Sequence, residues 1–240
     1  MSRHRIFCDD LLTPGLSLRL SDSATRHIQV LRLQPGTLIE LFNGKGEAFT
    51  GHIDLMGKHS VDITVVQALA IDAVTNKYTH LVVGMPANER MDWLIEKATE
   101  LGASRISPVM SQRTVLRLSG ERAARRVAHW NGIAQSACSQ SGRNVLPQID
   151  IPLPLNDFLN HFETKESGLN ILLSLQAHAP SWRDMWFSQP AHMTLLTGPE
   201  GGFTPQEEAY ALEHGFVAAS LGPFVLRAET AVLAVLAQLL

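Results

Sequence analysis

Apolar and polar positions alternate with period two in several stretches of the first 70 residues. Leu16-Ser-Leu-Arg-Leu20 alternates, Thr37–Phe42 and Ala48–Leu55 flank the turn Asn43-Gly-Lys-Gly46, and Ser60–Val65 alternates strictly. A short helix is predicted around Ser23–Leu31. Strands this close together, with glycine turns and no helix long enough for a parallel crossover, predict a small antiparallel barrel. Residues 70–78 read as a linker. From His80 the pattern changes to apolar strands alternating with amphipathic helices, the signature of an α/β domain. Leu81–Met85 reads as a buried strand. Asn88 is placed to cap a helix whose Met91, Leu94, Ile95, Ala98 and Leu101 form one apolar stripe. Arg105–Met110, Asn170–Leu175, His192–Thr197 and Phe216–Leu221 read as strands. Helices are predicted at about Ser119–Ser139 and at Ala228–Leu240. Thr204-Pro-Gln-Glu207 is a capping box with Pro at the first helical position, and Gly215 stops that helix.

Composition excludes several classes. The chain has 240 residues, 45% of them hydrophobic and 18% charged, which is globular rather than disordered composition. A chain of this length buries roughly 70–75% of its unfolded surface, enough for a core without staples. Its two cysteines, Cys8 and Cys138, have no metal-ligand spacing, so neither a disulfide framework nor a metal site is expected. The N-terminus lacks a signal peptide's apolar stretch, and no run of about 18 apolar residues occurs, so a cytoplasmic protein with no membrane partner is expected.

The formal net charge of −3 conceals segregation. Residues 103–147 carry seven arginines against Glu121 alone, whereas residues 148–240 carry 3 basic and 10 acidic side chains. Arginine can grip phosphate bidentately and stack on bases, so an anionic polymer is a candidate partner. A solvated helix face neutralised by acidic neighbours would read the same way.

The candidate chemistry sits at two strand-to-helix junctions. Thr197-Gly-Pro-Glu-Gly-Gly202 follows an apolar strand, where glycine lets backbone approach a ligand closely and where α/β sheets bind ligands. It matches neither the phosphate-loop nor the dinucleotide pattern. Leu221-Gly-Pro-Phe-Val-Leu-Arg-Ala-Glu-Thr-Ala231 again sets Gly-Pro after a strand, then Arg227, Glu229 and Thr230 at the mouth of an apolar helix. Alone, each could be a tight turn or a solvated first turn.

Together these junctions resemble the cofactor loops of SPOUT methyltransferases. More closely, the chain resembles the RsmE family of ribosomal small-subunit (16S) RNA uridine-N3 methyltransferases along nearly its whole length. The matching segments are Arg3-His-Arg-Ile-Phe7, His27-Ile-Gln-Val-Leu-Arg32 with Pro35-Gly36, Glu89-Arg-Met with Glu96–Gly102, Gln140–Arg143 with Pro147, and the two junctions.

The resemblance implies a PUA-like RNA-binding β-barrel over 1–72. It implies a SPOUT α/β domain with a deep trefoil knot over 73–240, S-adenosylmethionine as cofactor, and a homodimer acting on small-subunit ribosomal RNA or a ribosomal particle. It assigns cofactor contact to Leu175, Leu196, Gly198, Glu200, Gly201, Leu221, Gly222, Leu226 and Thr230. A sulfonium methyl is already a strong electrophile, so the protein has to place uracil N3 and help it shed a proton. Arg227 is the candidate for stabilising charge on the uracil, and Glu229 for a base or for orienting that arginine. Arg3, Arg5, Arg32, Arg113, Arg122, Arg125 and Arg143 are the candidates for RNA contact. A non-catalytic assembly factor, or a SPOUT enzyme acting on another RNA, is the alternative reading.

Overall fold

The computed structural model describes residues 4–69, 77–165, 168–176, 178–185 and 190–240. Arg3 and most of the expected linker, residues 70–76, lie outside the described residues. The chain divides into two compact units, residues 1–74 with 135–146, and residues 75–134 with 147–240.

The first unit contains β1 (His4–Phe7), β2 (Ser17–Arg19), α1 (Asp22–Val30), β3 (Leu38–Phe42), β4 (Ala48–Met56) and β5 (Val61–Ala68). They form one sheet in the order β1-β3-β4-β5-β2. The alternation read from sequence is the burial pattern of β5, where Val61, Ile63 and Val65 point into the core and the residues between them do not. α1 starts at Ser21, whose hydroxyl accepts the Ala24 amide, and it lays Ile28 onto the same core. The sheet departs from expectation in one respect. β1 pairs with β3 in parallel, His4 opposite Ile39, so the sheet is mixed rather than antiparallel. A four-residue strand is too short to display an alternation, and its partner lies more than thirty residues away.

The second unit contains β6 (Tyr78–Gly84), α2 (Asn88–Glu100), β7 (Arg105–Met110), β8 (Gln148–Ile149), β9 (Leu153–Pro154) and α4 (Leu155–Asn160). It continues with β10 (Gly168–Leu173), α5 (Trp182–Met185), β11 (His192–Thr197), α6 (Pro205–Glu213), β12 (Val217–Ala219) and α7 (Ala228–Leu239). The intervening helix, α3 (Gly120–Ser141), contributes its residues to 134 here and the rest to the first unit. The strands run parallel in the order β12-β10-β11-β6-β7-β8, with β9 paired to β7.

Val82, Leu172 and Leu196 pack with Leu155, Leu159, Phe203 and Phe216 on one face. α2 packs against α7, which in turn meets β11. Parallel strands covered on both faces have to be apolar throughout, which is why they read as continuous runs. The α2 stripe is as expected, with Met91, Leu94, Ile95 and Ala98 all buried. The helix start differs by one residue. Ala87, not Asn88, is the N-cap, and the Ala87 amide finds its acceptor in the distant Glu200 carboxylate. α6 carries the full capping box expected of Thr204 and Glu207.

Candidate cofactor site

The segments that follow β10, β11 and β12 line one cavity of about 570 Å³ at the carboxyl ends of these parallel strands. That is the edge at which open α/β sheets bind ligands. The loop after β11 is folded tightly on itself. Gly202 has φ +67°, and a Cβ on Gly198 would sit 2.9 Å from the Gly202 carbonyl carbon. At the end of β6, a Cβ on Gly84 would come within 2.5 Å of Pro199. No side chain fits either position, so the backbone itself forms the wall.

Side chains from distant segments hold this loop. The Glu200 carboxylate accepts the Ala87 amide at 3.0 Å and Arg90 Nη1 at 3.1 Å. Burial disfavours ionisation of Glu200, but the Ala87 hydrogen bond and the nearby Arg90 outweigh it and hold the carboxyl below its usual range. Arg113 Nη1 donates to the carbonyls of Gly201, at 2.7 Å, and Phe203, at 3.3 Å. Glu207, besides closing the capping box, accepts the Gln112 amide at 2.7 Å. The turn after β7 is thus bonded to both ends of the 201–207 segment. On the opposite wall, Ser174 Oγ donates to Glu208 at 3.2 Å and the Gln176 side-chain amide donates to the same carboxylate.

Leu175, Gly198, Glu200, Gly201, Leu221, Gly222, Leu226 and Arg227 all line the cavity. Leu196, Thr230 and Glu229 do not. Leu196 points into the apolar cluster beneath the loops. Thr230 lies exposed on α7, and Glu229 is buried there with Oε2 unpartnered. Ala228 and Ala231, three residues apart, face the cavity, and a helix turns about 100° per residue, so Glu229 and Thr230 between them point elsewhere. No ion pair joins Glu229 to Arg227 among the described residues; Arg227 stands exposed at the N-cap of α7. Sequence reasoning missed Arg90, Ser174, Gln176 and Glu208. Only Arg90, inside a matched segment, carried any signal.

The expected RNA contacts separate into groups. Arg122 and Arg125 are exposed on α3 and, with Arg126 and His129, line a shallow cavity of about 260 Å³. Behind it, Asp92 accepts from His129 at 2.8 Å and from Trp130 Nε1 at 3.0 Å. Arg32 is exposed just after α1 and has φ +53°, a conformation few non-glycine residues adopt.

Arg5 departs from the expectation of a surface grip. Its guanidinium is bonded to the Arg143 carbonyl at 3.0 Å and to Asn144 Oδ1 at 2.6 Å, pairs with Glu40, and lies 4.9 Å from the centre of the Phe42 ring. Arg143 is half-buried beside it, and desolvation lowers its pKa. Arg113, committed to the loop carbonyls, is likewise occupied. Among the described residues, no cluster of His, Cys, Asp and Glu could hold a metal, and no helix is long and apolar enough to cross a membrane.

Residues 75–240 match the family model of an RNA methyltransferase domain, and residues 20–66 match that of an RNA methyltransferase PUA domain. The fold and the site therefore define an RNA methyltransferase with an attached PUA domain. A Ribosomal RNA small subunit methyltransferase E from Neisseria gonorrhoeae, solved bound to S-adenosyl methionine, aligns with a TM-score of 0.91 at 36% identity, covering 98% of this chain and 96% of that one. A methyltransferase from Legionella pneumophila, solved with the bound cofactor, gives a TM-score of 0.91 at 33% identity over 98% and 97% of the two chains. Ribosomal RNA small subunit methyltransferase E of Mycobacterium bovis is 30% identical over 84% of this chain and 77% of its own length. The chain belongs to the ribosomal RNA small subunit methyltransferase E family.

Proposed function

We propose that this protein transfers a methyl group from S-adenosylmethionine to N3 of a uridine in 16S ribosomal RNA. One observation carries the reading. Both glycine junctions, from segments twenty residues apart, converge on a single cavity in a chain that aligns along 98% of its length with a relative solved holding that cofactor.

The residues present fit the group. The volume lies within the usual range for small-molecule sites, Leu175, Leu221 and Leu226 supply apolar wall, and the 198–202 backbone supplies polar groups without side-chain obstruction. When bound, the cofactor supplies an electrophilic sulfonium methyl. The chain has to hold uracil in line and favour the form that has lost its N3 proton. Arg227, exposed on the cavity wall at the start of α7, is placed to offset charge developing on the uracil. Glu229, buried in the first turn of α7 where the helix dipole favours its carboxylate, neither lines the cavity nor pairs with Arg227, so the role at the uracil falls to Arg227.

The reading extends to four coarser features. Residues 1–72 form the RNA-binding PUA-like module, its mixed sheet closing as a barrel around the Ile6–Ile63 core, and 73–240 form the transferase. The glycine-walled loops belong to a deep trefoil knot, a reading that rests on the family to which the chain belongs. Two copies associate through apolar surface at the cavity mouth, where Phe224 and Val225 are largely exposed. A ribosomal substrate supports a cytoplasmic site of action.

Small ribosomal subunits lacking the modification are incubated with the protein and labelled cofactor, and the RNA is mapped by mass. Label at N3 of one uridine is expected; no label, together with no calorimetric cofactor binding, overturns the proposal. Arg227→Ala is expected to lower transfer by roughly 100-fold or more while leaving cofactor affinity largely intact.

A further inference from the structure

A second cavity, of about 490 Å³, lies at the opposite edge of the same sheet, where β6, β7, β10 and β11 begin. One transverse row of the sheet lines it. The parallel register sets Asn170 beside Thr194, Thr194 beside His80, and His80 beside Arg105, so four neighbouring strands carry a polar side chain at one level. Two residues further along three of these strands, the same face carries Leu172, Leu196 and Val82 of the apolar core. Packing alone would make both rows apolar.

Asn170, Thr194 and His80 are only 5%, 8% and 6% exposed, yet their polar atoms are not used up. Among the described residues, the Thr194 hydroxyl has no hydrogen bond. The Asn170 nitrogen makes two long ones, 3.4 Å to Thr164 and 3.5 Å to the Gly215 carbonyl, and its oxygen makes none. His80 engages only Nε2, 2.7 Å from Ser107 Oγ. Ser107 donates to Asp150, which Arg105 also holds at 2.7 Å, so Nε2 carries the proton and Nδ1 remains an acceptor. Burial, then Arg105, pushes the imidazole pKa to about 4, so the ring is neutral at physiological pH. None of these atoms is sealed from the cavity: the Asn170 oxygen, the Thr194 hydroxyl and His80 Nδ1 remain open there to water or to a ligand.

The remaining walls are aromatic. Tyr78 and His192 lie 5.6 Å apart, and Phe158 lies 5.8 Å from His80 and 5.6 Å from Phe162. Lys165 and Glu163 bring opposite charges, and Arg105 is neutralised by Asp150, so nothing here favours a polyphosphate.

We propose that this cavity binds one nucleobase, from a free nucleoside or from an unpaired RNA nucleotide. The rings of Tyr78, His192, Phe158 and Phe162 would stack on its faces, and Asn170, Thr194 and His80 would read its hydrogen-bonding edge. The site is separate from the methyl-transfer cavity, and its test does not require transfer to occur.

Uridine and adenosine are titrated calorimetrically into the whole protein with S-adenosylmethionine at saturation, and then into an Asn170→Leu/Thr194→Val variant. Saturable binding of at least one nucleoside is expected, with at least a tenfold loss in the variant and a Tm little changed, because the variant gives up only two long hydrogen bonds. An unpaired RNA heptamer that displaces the nucleoside assigns the base to RNA; one that does not assigns it to a free nucleoside. Absence of saturable binding at millimolar nucleoside overturns the proposal, as does binding undiminished in the variant. A lowered Tm with no loss of binding shows the polar row to be structural.

Discussion

Arg113→Ala separates two roles for one arginine. By its place in the basic segment, Arg113 is expected to contact RNA; by its bonds, it holds the 201–203 loop. Nη1 reaches the Gly201 carbonyl at 2.7 Å and the Phe203 carbonyl at 3.3 Å, and the side-chain stem packs so closely that a Cβ on Gly201 would lie 3.2 Å from the Arg113 Cβ. A hydrogen bond from a charged donor is worth about 1.5–3 kcal/mol. The residue is exposed and the second bond is long, so the lower end applies, about 1.5 kcal/mol in total. If the cofactor needs the loop in this one conformation, that energy must be supplied on binding, which is roughly a tenfold rise in Kd. Arg113→Lys, which keeps the charge but not the planar fork, is expected to fall between, at roughly threefold. Calorimetry of S-adenosylmethionine binding measures the effect directly, with KM for the RNA determined in parallel and Tm as a control for folding. Unchanged cofactor affinity with a raised RNA KM would refute the loop-holding role and restore the RNA contact.

Further outcomes follow from other sites. His80 has its pKa lowered from 6.5 to about 4, first by burial and then by Arg105. Between those values the unfolded chain binds a proton that the folded chain refuses, so stability should fall as pH drops from about 6.5 to about 4, by up to ~3 kcal/mol. Urea midpoints across that range should show the loss, and His80→Asn should flatten it. Gly84→Ala, which sets a methyl against Pro199, should destabilise by roughly 1–3 kcal/mol in urea unfolding and weaken cofactor binding; a neutral result would mean the loop is freer than its packing implies. Arg122→Ala/Arg125→Ala should weaken RNA binding and flatten its dependence on log salt concentration by roughly 0.7 for each phosphate that the variant no longer neutralises. An unchanged slope in filter binding would remove α3 from the RNA surface.

Much of the site was legible because its signals are local. The α2 stripe, the Thr204–Glu207 capping box and the two Gly-Pro junctions each depend on residues within one or two turns, and eight of the eleven residues expected at the cofactor and catalytic centre line one cavity. The exceptions have local causes too. Leu196 sits in a strand whose alternation sends it to the core, and Glu229 and Thr230 follow Arg227 around a helix that turns them away from the cavity. Arg5 illustrates the opposite case. A basic residue near the N-terminus resembles any surface arginine until β1 docks in parallel on β3, which brings Glu40 and Phe42 to it, and the segment after α3 adds Asn144.

The main strands and helices, the Thr204–Glu207 cap, the glycine-walled loops and the family to which they correspond were readable along the chain, whereas short elements such as β1, β8, β9 and α4 were not. Side-chain period and hydrogen-bonding caps arise from sterics and orphan backbone groups within a few residues. The folded arrangement was needed to show that Arg113 and Arg90 hold the loop after β11, and that Asn170, Thr194, His80 and Arg105 form a single polar row. Those relations depend on strand order and register, which join positions as far apart as Arg90 and Glu200. No local preference encodes which strand will lie beside which; the packing of the whole sheet does.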